Sequence, residues 1–425
     1  MSSVLICSMP AVGHVTPLLS VVRALVASGD RVRFITGERF RDKVEAAGAE
    51  YLPLPPESDF DMDNLEPSGL TGPAAIREDL TQIFLKRMPF QYAAVQAALA
   101  AEHTDAVLAE ALFTGVIPLL ETPRADRPLI VCLGIVPLSI PSRDTAPFGL
   151  GITPMAGPIG RLRNRLLQLV ADKSIFAAVN TYGDERLSES LGRPLTRTYM
   201  DWPTRADLVV QFTVEEFEYP RSDLPAHVRF VGPVSKGNTS TVAKPEWWGD
   251  LDGSKPVVHV TQGTVANKDP NEVIVPTIRG LANDDVLVVV TTGGRSTDIL
   301  PADLPANVRV AEYLPYDELI PLVDVFVTNG GYGGVHFALQ NSVPLVVAGM
   351  TEDKSEVTAR VGWSGAGINL RTNVMKPDAA AAAVRRVLAR PSYRVAASRI
   401  GAAIAASPGA DALHDLLAQH TAASR

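Results

Sequence analysis

Cysteine is scarce: the 425-residue chain holds two, Cys7 and Cys132. Two thiols cannot build a disulfide framework or a four-thiolate metal site. A single bridge between them stays open on sequence alone. Each lies in an apolar run that reads as a buried strand, so reduced core thiols and a cytoplasmic location are expected. Positive charge is also short. Lys and Arg total 39 against 47 Asp and Glu, a net charge of −8, where a chain that binds nucleic acid ordinarily carries a basic excess. Long apolar runs are missing. None reaches the ~18 residues of a membrane span, and the apolar start at Met1 to Met9 has no cationic residue ahead of it, with Gly13-His14 interrupting it before a signal-peptide core is complete. A Walker loop is absent as well. What remains is globular, 46% apolar and 20% charged, and its length suits two domains better than one.

The chain opens as a βαβ unit. Residues 3–8 form a short apolar run, as in a strand buried on both faces. Pro10, Gly13 and Pro17 punctuate a loop. Leu18, Val22, Leu25 and Val26 then recur at helical spacing up to Gly29, and Val32 to Thr36 is a second strand. Ala106 to Ala109 and Leu129 to Leu133 read as later strands of the same parallel sheet, with a helix around Phe113 to Glu121 between them. Two stretches rich in Pro and Gly, 55–75 and 137–160, are too long for plain connections and are expected to shape a ligand pocket at the sheet's rim. Helical patterns run from Arg161 to Leu191.

Residues 220–255, with Pro220, Pro225, Pro233 and Pro245, are the expected linker and start of a second domain. A second βα series follows, with strands at 257–261, 286–291, 308–311, 325–328, 345–348 and 367–370, then an Ala-rich helical segment from Asp378 to Ala406. The expected fold class is α/β: two doubly wound Rossmann-like domains facing a cleft, over 1–219 and 256–400. A C-terminal helix at 401–425 would pack back on the first domain.

Thr328-Asn329-Gly330-Gly331-Tyr332-Gly333-Gly334 follows a strand and opens a helix. Glycines let a ligand approach the backbone there, and the unpaired N–H groups of the helix's first turn favour an anion, most often a phosphate. Val260 to Thr264 and Thr291 to Arg295 make similar strand-to-loop transitions. Three glycine-bearing strand ends in one domain mark the rim where doubly wound sheets bind ligands. A dinucleotide fingerprint does not fit. Counted from Gly331, its third glycine is His336, and the acid Asp353 lies several residues past its strand.

Gly13-His14-Val15-Thr16-Pro17-Leu18 after the first strand, the Gly-rich block running to Val343-Pro344, and the stretch from Tyr313 to Leu370 agree together in spacing. They resemble the nucleotide-sugar-dependent glycosyltransferases of the two-Rossmann (GT-B) type, above all the bacterial macrolide and antibiotic glycosyltransferases, relatives of the plant UDP-glycosyltransferases. The resemblance implies that Tyr313 stacks on the base of the donor, with Leu314 offering backbone hydrogen bonds. It places Asn329, Gly330, Gly331, Gly333 and Gly334 on the diphosphate, with Thr264 and Gly13 close by. Asn329 stands where the family commonly has His, so it can donate one hydrogen bond to the phosphate but no positive charge. Asp353-Lys354 stands where the family has an Asp-Gln pair for the sugar hydroxyls, and the lysine leaves the sugar open.

His14 is the candidate general base. An acceptor hydroxyl must lose its proton as it attacks the anomeric carbon, and an imidazole is neutral and basic near pH 7. Glu110 matches the position of the family's supporting Asp and would orient and stabilise the ring. His103, His227, His259, His336, His414 and His420 are read as structural. Phe84, Phe113 and Phe148 are the candidates for contact with an apolar acceptor. Asp59, Asp61 and Asp63 mimic an Asp-x-Asp metal motif but sit in a Pro/Gly-rich stretch and are read as a solvated loop, with no metal site.

The expectation is therefore an inverting, metal-independent transfer of a hexose. It passes from a nucleoside diphosphate sugar, UDP-glucose, to a hydroxyl of a hydrophobic small molecule such as an antibiotic or polyphenol. No cofactor is expected beyond the nucleotide-sugar co-substrate, no nucleic acid and no membrane partner, in a monomer or homodimer. Two rivals share the fold: a nucleotide-sugar epimerase, which would consume donor alone, and a non-catalytic nucleotide-binding regulator.

Overall fold

Short runs of Val, Leu and Ile, buried on both faces, assort into two parallel sheets. A computed structural model describes residues 2–65, 69–70, 72–192, 199–234 and 242–422. The first sheet contains β1 (Ser3–Cys7), β2 (Arg31–Thr36), β3 (Glu50–Pro53), β4 (Ala106–Glu110), β5 (Leu129–Gly134), β6 (Leu208–Gln211) and β7 (Val228–Phe230), in the order β3-β2-β1-β4-β5-β6-β7. The second contains β8 (Val257–Thr261), β9 (Leu287–Thr291), β10 (Val308–Ala311), β11 (Val325–Thr328), β12 (Leu345–Val347) and β13 (Gly367–Asn369), ordered β10-β9-β8-β11-β12-β13. Each sheet reverses its direction of growth once, between β1 and β4 in the first and between β8 and β11 in the second. At such a switch point the loops leaving neighbouring strands diverge and open a crevice. The fold is the expected pair of doubly wound domains.

Strand periodicity divides the apolar core into clusters on opposite faces of each sheet. Val4 and Ile6 pack on one side of the first sheet, Leu5 and Cys7 on the other. Cys7 and Cys132 are free and buried, on β1 and β5 with β4 between them; burial pushes both thiols up and leaves them unreactive.

Helix α1 (Val12–Ala27) buries Val15, Leu18, Val22 and Leu25 against the first sheet. It begins at Val12 instead of Leu18, so His14 lies in a helical first turn and not in a loop. Pro17 is tolerated inside it because the N–H that proline lacks would have met the carbonyl of Gly13, an exposed residue at the helix mouth. The helix expected around Phe113 to Glu121 is present as a 3-10 helix over Thr114–Glu121, containing Pro118. Helix α2 (Gly157–Ala171) buries Gly160, Asn164 and Ala171 and leaves Ile159, Leu162, Leu166 and Val170 exposed. The second lobe supplies α3 (Tyr332–Gln340), α4 (Lys354–Ser364) and α5 (Pro391–Ala406), and α6 (Ala412–Ala422) ends the described chain.

The first lobe runs further than the expected boundary at 219, because β7 pairs with β6 inside the presumed linker. A three-residue strand between Pro225 and Pro233 leaves almost no pattern to read. The return crossing comes later than 401. Ile400 and Ile404 of α5 belong to the second lobe's core, whereas Leu413 and Leu417 of α6 join the first lobe's core. His414 Nδ1 fixes α6 to Asp30 at 2.8 Å. The two crossings touch: a Cβ on Gly232, whose φ is +86°, would sit 1.8 Å from Ser407 Oγ, so only glycine fits there.

Candidate active site

His14 is held where β1 feeds α1, and Glu110 ends the neighbouring β4, so the first sheet's switch point brings together two residues far apart in sequence. The Nδ1 atom lies 3.1 Å from Glu110 Oε1. The carboxylate is buried and pinned by the N–H of Met9, 3.2 Å from Oε1, and of Leu112, 2.7 Å from Oε2. Nδ1 and Oε1 meet at contact distance without good alignment, and Nδ1 has no other partner among the described residues; catalytic pairs commonly tighten only when substrate is bound. The imidazole is 15% exposed. Burial works against its charged form, but Glu110, then Asp353 and Asp63, outweigh that and raise its pKa above the ordinary 6.5. Asp353 belongs to the other lobe, so the ring stands at the gap between the two. Burial in turn pushes the Asp353 carboxyl up, while Lys354 and His14 pull it down.

The acidic loop is solvated at Asp61, as expected, but not at Asp63. Asp63 accepts the N–H of Val12, the first residue of α1, at 3.3 and 3.1 Å to its two oxygens. It also pairs with Arg39, which holds Asp61 at 2.8 Å and the Pro10 carbonyl at 2.6 Å. An acid at a helix N-terminus satisfies orphan donors and complements the dipole. Asp63 thus steadies the turn that carries His14. The one sign of this in the sequence is a helix start, Ala11-Val12, with no Ser, Thr, Asp or Asn at its cap. Among the described residues no group of three or more His, Cys, Asp or Glu is placed to hold a metal ion, and no described helix is long and apolar enough to cross a membrane.

Across the gap, the second sheet's switch point is lined by backbone. Gly331 caps α3, and Val335 is the first N–H to find a partner inside the turn, the Gly331 carbonyl at 3.0 Å. The N–H groups of Tyr332, Gly333 and Gly334 ahead of it are the helix's orphan donors. Added Cβ atoms on Gly331, Gly333 and Gly334 would meet nothing within 4 Å, so open space stands over this turn. Gly330 differs: its φ is +86° and a Cβ would fall 2.5 Å from Thr358 Cγ2. The far side of α3 rests on the segment that follows β6, with Thr213 Oγ1 2.7 Å from His336 Nε2 and Phe217 edge-on to that ring.

Asn329 does not offer its amide to a ligand. Its Nδ2 donates to the carbonyls of Gln262, at 2.9 Å, and Ala266, at 3.0 Å. It therefore ties the 262–266 loop to the glycine turn, with both Nδ2 hydrogens spent on these carbonyls. Asn267 makes a second tie that sequence reasoning missed: its Nδ2 donates to Gly263 and Thr292 carbonyls at 3.0 and 2.9 Å, and its Oδ1 accepts from Arg295 Nε at 2.9 Å. Thr264 in that loop is exposed, as is Gly13 in the first lobe. Tyr313 is 51% exposed with its hydroxyl over Gly294, where a Cβ would come within 2.2 Å, and Leu314 is buried behind it. Lys354 is buried and paired with Glu352.

The aromatic candidates for an acceptor fare unevenly. Phe113 is wholly buried in the first lobe's core and Phe84 is 8% exposed, so both serve packing; helical or loop position did not reveal which way they face. Phe148 is exposed, beside Leu150 and Met155. His259 and His336 are pushed by burial to about 4 and stay neutral in the core. His103, His227 and His420 bond to Asp105, the Pro203 carbonyl and the Leu416 carbonyl.

An interlobe ion cluster also went unseen. Arg360 of α4 donates through Nε and Nη2 to Glu218 Oε1 at 2.9 and 2.6 Å and through Nη1 to Glu356 Oε2 at 2.8 Å. Glu356 Oε1 accepts the N–H groups of Gly149 and Gly151, both at 2.9 Å. All three charged side chains are buried, and together they fasten α4, which Lys354 begins beside Asp353, to the first lobe.

Two family models match. Residues 10–132 fit the glycosyltransferase family 28 N-terminal domain, and 277–418 fit the erythromycin biosynthesis protein CIII-like C-terminal domain. The chain is 40% identical to 4'-demethylrebeccamycin synthase of Lentzea aerocolonigenes, over 93% of this chain and 94% of that one. It is 35% identical to UDP-glycosyltransferase 2 of Phaeomoniella chlamydospora, covering 92% and 90%, and 33% identical to UDP-glucosyltransferase A1 of Starmerella bombicola, covering 93% and 88%. In fold it matches the glycosyltransferase of kitacinnamycin, with a TM-score of 0.76, 21% identity and 99% of each chain covered. It also matches the calicheamicin glycosyltransferase CalG4, at 0.69 and 22%, over 99% of this chain and 98% of that one.

Proposed function

The chain belongs to the GT-B glycosyltransferases that act on natural products, and we propose that it is an inverting hexosyltransferase that needs no metal. Its donor is a UDP-sugar, with UDP-glucose first among the candidates because relatives at 33% identity carry the name UDP-glucosyltransferase. Its acceptor is a hydroxyl on a hydrophobic small molecule. The observation that carries this reading is the placement of His14 and Glu110 at one switch point and an open glycine turn at the other.

His14 takes the proton of the acceptor hydroxyl as that oxygen attacks the anomeric carbon. The bond from that carbon to the diphosphate breaks, and the electron pair leaves with UDP. Glu110, facing Nδ1, stabilises the imidazolium formed when the other ring nitrogen, Nε2, takes the acceptor's proton. The orphan N–H groups of α3 and its dipole absorb the charge growing on the diphosphate, a role that elsewhere falls to a metal. Tyr313 stacks on the base and Asp353 accepts from a sugar hydroxyl. One displacement inverts the centre, so an α-linked donor gives a β-glycoside.

The test is a mass-spectrometric screen of UDP- and dTDP-sugars against phenolic and macrocyclic acceptors, with the anomeric coupling of any product read by NMR and each reaction repeated in EDTA. A β-linked hexoside formed in chelator is expected. An α-linked product, loss of activity in EDTA that Mn²⁺ restores, or donor conversion without acceptor would overturn the reading.

A further inference from the structure

Beyond the donor cradle, on the β13 side of the seam, lie two adjoining hollows of about 350 Å³ each that share Thr153, Asn369 and Arg371. Their walls come from both lobes: Leu150, Ile152 and Arg163 from the first, Met350, Trp363 and Arg371 from the second. None of the residues assigned to the donor or to catalysis lines either one.

Three arginines, Arg163, Arg371 and Arg386, border this groove, and no Asp or Glu lines it among the described residues, in a chain whose net charge is −8. Arg163 is occupied by the Thr153 carbonyl, at 3.1 Å, and by the side chain of Asn164. The guanidinium groups of Arg371 and Arg386 have no partner among the described residues. Arg371 is further held at φ +50°, a left-handed conformation costly for a non-glycine residue, by donation of its N–H to Asn369 Oδ1 at 2.8 Å. Trp363, 37% exposed, and Tyr393 give the same groove aromatic walls, and Leu150 and Met350 are exposed apolar residues at its rim. Unpaired cations beside apolar walls suit a ligand that is anionic at one end and apolar along its body.

We propose that this seam is a second binding site, for an amphiphilic carboxylate such as a fatty or aromatic acid. Arg371 and Arg386 take the carboxylate, and Trp363, Tyr393 and the first-lobe residues cover the body. Because its walls belong to both lobes, a bound acid favours the closed arrangement over any in which the lobes part. The site does not depend on which sugar or acceptor the enzyme uses.

The experiment is calorimetric titration of the intact protein with decanoate, 1-naphthoate and inorganic phosphate, each with and without saturating UDP, alongside Trp fluorescence with decanoate. Saturable binding of at least one of the two organic acids is expected, with UDP leaving its affinity unchanged and a fluorescence response that W363F abolishes. Arg371→Gln with Arg386→Gln should weaken that binding at least tenfold while UDP affinity holds, and because both side chains are exposed the variant should melt like the parent. No saturable binding of either acid at roughly millimolar concentration, equal binding by the double variant, displacement by UDP, or phosphate binding as tightly as the acids would each overturn the proposal.

Discussion

The two walls of the cleft are built from different materials. On the first lobe the proposed chemistry rests on side chains: an imidazole facing a carboxylate that backbone N–H groups pin, with an aspartate capping the helix that bears the ring. On the second it is carried by main chain, in a turn whose glycines leave N–H groups uncovered and whose one candidate side chain, Asn329, faces inward to hold a loop. A side chain can change its protonation as the reaction proceeds, which the acceptor's proton requires. A backbone dipole cannot, and a leaving diphosphate needs only a fixed field. The walls should therefore fail differently when altered.

The largest effect is expected at the first wall. His14→Ala should lower turnover by ~10²–10⁴-fold with UDP affinity little changed, since the proposed role of the imidazole is confined to the acceptor's proton. Turnover measured beside UDP titration checks both halves. An unimpaired variant would remove His14 from its role, and a parallel loss of UDP binding would place it on the donor instead.

Next comes Glu110→Gln, which keeps the shape and removes the charge. Turnover should fall by roughly ten- to a hundredfold, because the imidazolium loses its counter-charge. The pH profile gives a sharper readout. Burial lowers the pKa of His14, but Glu110 and the more distant acids raise it above 6.5 on balance. The base must be neutral to act, so kcat/KM of the parent should drop as pH falls through a value above 6.5. Without the Glu110 charge that acidic limb should move to lower pH. A limb that stays in place would mean that Glu110 does not couple to the ring.

The same contrast explains what could be read in advance. The strands were legible because a strand buried on both faces must be continuously apolar, and the glycine turn because only glycine permits close backbone approach. β7 was not, since three residues between prolines carry no period. Nor were Asp63, Asn267, Glu218 and Glu356 legible, because each acts on a partner far away in sequence and nothing local distinguishes such a residue from a solvated one. Asn329 shows the limit within a motif: its position was plain, but the direction of its amide was set by the 262–266 loop that folds against it. Phe113 failed likewise. Its place after β4 was right, and its ring turned into the core.

The smallest expected effects separate two neighbouring glycines of the second wall. Gly330 has φ +86° and Thr358 Cγ2 waiting 2.5 Å from any Cβ, so Gly330→Ala should destabilise the fold by about 1–3 kcal/mol. Gly333 lies in the first turn of α3 with nothing within 4 Å. Alanine there should leave stability unchanged or raise it by about 0.5–1 kcal/mol, as glycine is the poorer helix former. Yet its methyl group would stand in the space assigned to the diphosphate, so UDP should bind roughly tenfold more weakly, about 1.4 kcal/mol. Denaturant midpoints and UDP titrations on both variants resolve the pair. Stability must fall in one and ligand affinity in the other. If Gly333→Ala binds UDP as the parent does, the space over the turn is not where the phosphates lie, and the second wall loses its assigned part in catalysis.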